Sequence, residues 1–188
     1  MSLDAFEVKF DEESKLGYGG FGFVYRGKHK ATGKQCAIKK FLKSGFCLMD
    51  SDLLSYKRHI EFLSSLSHPL VIKMLGTFQD KEENLYLVTE LATEGDLDDY
   101  IKKVFAESKD LPKDYLRYFV MIVLAIQFLH SKGIVHRDIK PPNFLLSKDE
   151  QGRIVVKVSD FDIAKDARVA TVTDTQKGTY SPAYSSPQ

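Results

Sequence analysis

Gly17, Gly19 and Gly22 recur within Leu16-Gly17-Tyr18-Gly19-Gly20-Phe21-Gly22-Phe23-Val24. Glycines at these intervals let backbone N–H groups approach phosphate oxygens with no Cβ in the way. A dinucleotide-binding turn uses the same spacing but needs a helix to open at the third glycine, and a plain hairpin turn needs no ligand. Here Phe23-Val24-Tyr25-Arg26-Gly27 continues as strand, which favours a hairpin that covers phosphates. Lys39 ends the strand-like run Cys36-Ala37-Ile38-Lys39, 22 residues after Gly17. On an adjacent strand its ammonium would lie beneath the glycines and hold phosphates as a point charge; a lone lysine would read as a surface residue, but the motifs that follow outweigh that reading. In His136-Arg137-Asp138-Ile139-Lys140-Pro141-Pro142-Asn143 a carboxylate precedes an amide by five residues, and Ser159-Asp160-Phe161 adds a second carboxylate. These groups supply an acceptor for a hydroxyl proton and two oxygen ligands for a hard cation such as Mg²⁺.

Elements of two kinds must position them. Residues 6–12, 21–28 and 35–41 are short runs rich in Phe, Val, Tyr and Ile, separated by Gly17-Tyr18-Gly19-Gly20 and Ala31-Thr32-Gly33-Lys34, which read as turns of a three-stranded meander. Asp50 or Ser51 caps a helix whose apolar positions Leu53, Leu54, Ile60, Phe62, Leu63 and Leu66 keep helical spacing up to His68-Pro69. Strands near 71–78 and 84–89 complete the sheet. After Thr89-Glu90-Leu91-Ala92, a connector, the pattern turns helical over 96–106 and 113–131. The second of these helices is apolar nearly all round and expects burial on every side. Residues 144–158 read as a hairpin around Gln151-Gly152, followed by polar chain. The layout is α+β: a sheet-plus-helix lobe over 1–90, a helical lobe over 91–188, and a cleft between them as the natural ligand site.

Composition narrows the partners. The 188 residues carry 27 basic and 26 acidic side chains, a formal charge of +1, which removes the electrostatic case for nucleic acid or an anionic membrane. The longest apolar run, Tyr118 through Ile126, is far too short to cross a bilayer, and no basic-then-apolar leader opens the sequence. A cytoplasmic location is expected. Cys36 and Cys47, without further cysteines, build neither a disulfide framework nor a four-ligand zinc site.

The order of the four elements resembles the eukaryotic protein kinase family, serine/threonine branch, and the resemblance covers essentially the whole chain. It implies a two-lobed fold with an N-terminal antiparallel sheet plus helix and an incomplete helical C-terminal lobe. It also implies ATP and Mg²⁺ as cofactors and protein Ser/Thr hydroxyls as substrate. Gly17, Gly19 and Gly22 would cover the nucleotide phosphates, Leu16 beside them would also contact the nucleotide, Lys39 would bind the α and β phosphates, and Asn143 and Asp160 would hold the metal. Asp138 would orient and deprotonate the attacking hydroxyl, and Lys140 would neutralise the transferring phosphoryl group. Thr89 falls at the gatekeeper position, Glu90 and Ala92 would meet the adenine edge through their backbone, and Asp96 would reach a ribose hydroxyl. Val24, Ala37 and Leu145 would sandwich the adenine; ordinary core residues would read the same way.

The sequence also departs from that family. The helix position that carries a glutamate paired with the strand lysine holds His59, and Glu61 lies about 200° around the helix from it. Lys39 is then held less firmly, with Asp160 as a substitute partner. Asp162 replaces the glycine after Asp160-Phe161, and Gln188 replaces the glutamate that would end the activation segment. A domain of this family continues for about another hundred residues. A fragment of a longer gene product is therefore expected, with the remaining lobe or a partner covering an apolar side of the 113–131 helix. Thr171, Thr173 and Thr175 lie in the segment where a phosphothreonine would meet Arg137, or form a plain solvated loop. Retention of Lys39, Asp138, Asn143 and Asp160 favours a kinase. His59, Asp162 and Gln188 favour a pseudokinase scaffold, and a small-molecule kinase of similar fold is a third reading.

Overall fold

The computed structural model describes residues 3–19, 21–42, 62–107, 113–161 and 164–166. The chain divides into two compact units, Met1–Ser67 with Lys73–Leu91 and His68–Ile72 with Ala92–Gln188.

The first unit is built on an antiparallel sheet of β1 (Phe6–Val8), β2 (Lys15–Gly19), β3 (Gly22–His29), β4 (Gln35–Phe41), β5 (Met74–Gln79) and β6 (Leu85–Glu90), ordered β1-β3-β4-β6-β5 with β2 also on β3. Alternation along β4 and β6 sends Cys36, Ile38, Tyr86 and Val88 to one face, where they pack with Phe6 and Phe78. The Phe78 ring stacks on Tyr86 at 4.8 Å and on Phe6 at 5.9 Å, the offset geometry that aromatic quadrupoles favour. The Tyr86 hydroxyl donates to Asp80 Oδ2 at 2.9 Å. Asp80 also receives the backbone N–H groups of Glu82 and Asn84, which closes the β5–β6 turn. Burial works to raise the Asp80 carboxyl, and these bonds overcome it, bringing the pKa to about 2.

Three boundaries differ from the sequence expectation. The strand expected over 6–12 ends at Val8, because Asp11 turns the chain by accepting the Ser14 N–H at 2.9 Å. The glycine run expected as a turn is strand through Gly19, since a ladder needs only backbone groups; it pairs Gly17 with Val24 and ends at the Gly19–Gly22 pair. The strand expected from residue 71 starts at Met74. Val71 is drawn into the second unit instead, bridging Val158 in parallel, while Ile72 N–H donates to the Val158 carbonyl at 2.9 Å.

The second unit holds α1 (Leu97–Glu107), α2 (Tyr115–Ser131), β7 (Ile134–Val135), a 3₁₀ turn (Pro141–Asn143), β8 (Phe144–Lys148), β9 (Ile154–Val158) and β10 (Lys165–Asp166). Helix α2 packs on β9 and β7. It buries Tyr118, Ala125 and Leu129, which share one stripe at 3.6-residue spacing. Leu116, Phe119, Val120, Val123 and Leu124 lie on the opposite arc and are 46 to 61% exposed, so the all-round burial expected of this helix is not met. Strands β8 and β9 form the expected hairpin, closed by Asp149, which accepts the N–H groups of Gln151 and Arg153 at 2.9 Å each. The tail expected to be plain polar chain contributes Lys165 and Asp166 to a ladder with Val135 and Ile134.

Of the helix expected between residue 50 and His68-Pro69, residues 62–64 are described as helical. The positions of Gly20, Cys47, His59, Glu61, Asp162, Thr171, Thr173, Thr175 and Gln188 lie outside the described residues. Cys36 is buried, and burial pushes its thiol pKa up. Among the described residues no helix is long and apolar enough to cross a membrane.

Candidate active site

The first unit brings several of the expected residues to one sheet face through cross-strand register. Val24 pairs with Gly17 on one side and with Lys39 on the other, Lys39 with Leu87, and Ala37 with Thr89. Directly paired antiparallel residues share a face, and so do residues two apart along a strand. Val24, Ala37, Lys39 and Thr89 therefore line the face opposite the Cys36–Ile38 core, each only partly buried. The Lys39 ammonium lies 5.4 Å from the Phe41 ring centroid. Leu16, on β2, is 41% exposed. Glu90 ends β6 with its N–H donating to the Lys73 carbonyl at 2.9 Å and its Oε1 accepting the Lys73 N–H at 2.8 Å.

The glycines of the hairpin are not equivalent. A Cβ on Gly22 would collide with the Lys40 carbonyl oxygen of the neighbouring strand, so packing alone requires glycine there. A Cβ on Gly17 would meet nothing within 4 Å. Packing therefore does not demand glycine at that position.

In the second unit the loop between β7 and β8 is held by side chain–backbone bonds. His136 is 2% exposed, and its Nε2 donates to the Ser159 carbonyl at 2.7 Å while Nδ1 accepts the Asp138 N–H at 3.3 Å. Both bonds fit the neutral ring, and burial lowers its pKa, only partly opposed by the Ser159 bond. Asn143, also buried, donates through Nδ2 to the Asp138 carbonyl at 2.7 Å and to Asp138 Oδ2 at 2.9 Å. Lys140 Nζ reaches the same Oδ2 at 2.7 Å. The Asp138 carboxylate is thus oriented from two directions by one amide and one ammonium.

The β8–β9 ladder begins at the Phe144–Val158 pair, which places Asn143 beside Ser159. The Ser159 N–H and hydroxyl both donate to the Asn143 carbonyl, at 2.8 and 2.9 Å. Asp160 follows directly. Arg137 and Asp160 adopt left-handed backbone with φ of 70° and 59°, conformations that cost a non-glycine residue about 1 kcal/mol or more and persist only where the surroundings hold them. Phe161 is buried with its ring 5.2 Å from His136. In the sequence His136 and Ser159 stand out only as parts of motifs. Their anchoring role depends on a contact across 23 residues, which spacing cannot reveal.

Asp96 and Leu145 meet in an antiparallel bridge, and Asp96 Oδ1 accepts the Asp99 N–H at 2.9 Å, capping α1. Ala92 opens the longer segment of the second unit and is partly buried.

Because Asn143 Nδ2 is directed at Asp138, the amide oxygen is the group it presents elsewhere. An amide oxygen and the Asp160 carboxylate are oxygen donors of the kind that could hold a hard cation retaining water and phosphate ligands, as Mg²⁺ does. Among the described residues no cluster of three His, Cys, Asp or Glu side chains forms a dedicated protein cage.

Comparison with known proteins adds the lineage. The protein kinase domain family matches residues 10–188. An Aurora kinase of Debaryomyces hansenii is 38% identical over 162 residues, covering 86% of this chain and 36% of that protein. The serine/threonine-protein kinase TIO of Arabidopsis thaliana is 36% identical over 175 residues, 92% of this chain and 12% of that protein. Myosin light chain kinase A of Dictyostelium discoideum is 35% identical over 182 residues, 97% of this chain and 59% of that protein. The chain thus spans less than two thirds of the length of each of these relatives. The α+β fold, a curled antiparallel sheet followed by a helical unit, is the one the family match implies. The chain belongs to the eukaryotic protein kinase family and, by resemblance to these relatives, to its serine/threonine branch.

Proposed function

We propose that this chain carries ATP- and Mg²⁺-dependent protein serine/threonine kinase activity, directed at cytoplasmic protein hydroxyls. The observation that carries the reading is the Asp138 carboxylate, fixed through Oδ2 by Asn143 at 2.9 Å and Lys140 at 2.7 Å. Phosphoryl transfer passes through a loose transition state, so it asks for an oriented nucleophile and fixed positive charge rather than covalent help. Asp138 receives the proton of the attacking hydroxyl. Lys140, beside it, offers a cation to the charge on the transferring group. Gly17, Gly19 and Gly22 present backbone N–H groups to the phosphates, and Lys39 holds them by charge. Leu16, Val24, Ala37 and Leu145 contact the adenine, the backbone of Glu90 and Ala92 reads its edge, and Asp96 serves the ribose once a ligand competes with its capping bond. Asn143 and Asp160 hold Mg²⁺, which when bound neutralises phosphate charge.

A second reading, nucleotide binding without turnover, is favoured by His59 where the resemblance expects a glutamate and by Asp162 where it expects glycine. One assay separates the two: phosphate transfer from ATP to a generic basic protein, compared between the chain and Asp138→Asn. Transfer that the substitution removes supports the kinase. Nucleotide binding with no Asp138-dependent transfer supports the scaffold.

A further inference from the structure

The β2–β3 hairpin is poor in the cross-strand side-chain pairs that normally fix a ladder, because Gly17, Gly19 and Gly22 occupy three of its positions. Even so it carries Tyr18, 81% exposed and directly opposite Phe23. A ring so exposed gains little by burial. What it does have is a cation. Lys15 Nζ lies 5.8 Å from the Tyr18 ring centroid and 4.9 Å from the Phe23 centroid, both within cation–π range. The same ammonium donates to the two carboxylate oxygens of Glu12 at 3.0 and 3.2 Å. Glu12 lies in the turn before β2, and the ladder is irregular between Lys15 and Gly17. One side chain therefore joins the turn, the β2 ring and the β3 ring across the irregular part of the hairpin.

We propose that Lys15, fixed by Glu12 and gripping the Tyr18 and Phe23 rings, is a positioning residue that braces the glycine hairpin over the phosphates of the nucleotide. The proposal rests on the nucleotide-binding reading above. A brace of this kind acts on the part of the ligand that the hairpin covers, so its loss weakens MgATP binding and leaves adenosine binding alone. Charge alone predicts otherwise. Glu12→Gln removes a negative charge, which by through-space attraction would tighten MgATP binding, whereas loss of the brace weakens it.

The test is calorimetric affinity for MgATP and for adenosine in wild type, Glu12→Gln, Lys15→Met and Lys15→Arg, with thermal midpoints alongside. The expected result is MgATP affinity lowered about threefold to tenfold in Lys15→Met and lowered in the same direction in Glu12→Gln. Adenosine affinity stays unchanged, and Lys15→Arg remains within about twofold of wild type because a guanidinium keeps both contacts. Equal losses for both ligands, no loss for either, or tighter MgATP binding by Glu12→Gln overturns the brace while nucleotide binding stands. Wild type binding neither ligand overturns the nucleotide reading, and the brace with it.

Discussion

The glycine hairpin of the first unit and the loop between β7 and β8 of the second, both invoked by the proposed function, are built on opposite principles. In the loop, His136, Asp138 and Asn143 are tied to one another and to Ser159, just past β9, by bonds of 2.7 to 3.3 Å that are buried or partly buried. Two left-handed residues, Arg137 and Asp160, are held within that network. In the hairpin, three glycines leave a bare backbone ladder, and the contacts that order it end on Glu12 and Tyr18, 88% and 81% exposed. The groups assigned to the reacting atoms are over-determined, and the cover assigned to the phosphates is lightly held. That division suits a site whose chemistry needs fixed geometry and whose ligand must enter and leave.

The comparison breaks if the loop is not in fact the more tightly determined region. Asn143→Ala should have the largest effect. It removes two bonds to Asp138, one of them to the carboxylate, and one oxygen of the candidate metal pair. Activity is expected to fall by about a hundredfold or more. Chemical denaturation should show a stability loss of about 2 to 3 kcal/mol, the cost of a mostly buried carboxylate losing its amide donor. Gly22→Ala comes next and attacks the other region. The added methyl would meet the Lys40 carbonyl, which backbone shifts alone can relieve, so a loss of about 1 to 3 kcal/mol is expected.

What the sequence disclosed depended on how local each feature is. Strand β4 is legible over its whole length because Cys36 and Ile38 alternate with Ala37 and Lys39, and the β8–β9 hairpin because Gln151-Gly152 mark its turn. The grouping of Asp138 with Asn143 is legible because both lie on one short loop. Strand β2 is not, because glycine lacks a side chain to show the period while its backbone pairs as well as any. Val71 was assigned to the wrong ladder because which strand it joins is decided by Val158, 87 residues away in the chain. That one apolar side of α2 would want cover was legible from the family resemblance, but which arc it is was not: an apolar pattern states what a helix can bury, while packing on β9 and β7 decides which side it does bury.

The loop should also announce itself through pH. His136 is held neutral, so its folded pKa lies below the unfolded value near 6.5. As pH falls below about 6.5 the unfolded chain binds a proton that the folded chain refuses. Stability is therefore full above that pH and declines as pH falls toward the lowered folded pKa, by at most about 1.4 kcal/mol per pH unit per proton. His68 is lowered by burial too and adds a slope of the same sign. Melting temperatures between pH 7 and 5 should fall for wild type and fall less steeply for His136→Asn; parallel curves would remove His136 from this role. Ser159→Ala, which deletes the hydroxyl bond to the Asn143 carbonyl but keeps the N–H bond, should cost about 1 kcal/mol in denaturation.

The smallest structural effect is the most discriminating one. Gly17 sits in the hairpin beside Val24 with open space where a Cβ would project, and its backbone is not in the left-handed region. Gly17→Ala should therefore leave stability within about 0.5 kcal/mol of wild type, the stiffer unfolded chain offsetting any small loss. If the hairpin covers phosphates, the same methyl occupies the space through which the backbone N–H groups must approach the oxygens. MgATP binding should then weaken while adenosine binding is retained, in a protein whose unfolding curve superimposes on wild type. Set beside Gly22→Ala, which should lower stability first, the pair assigns one glycine to the fold and the other to the ligand. If Gly17→Ala binds MgATP as wild type does, the first glycine serves neither, and the light construction of the hairpin has no tie to a nucleotide.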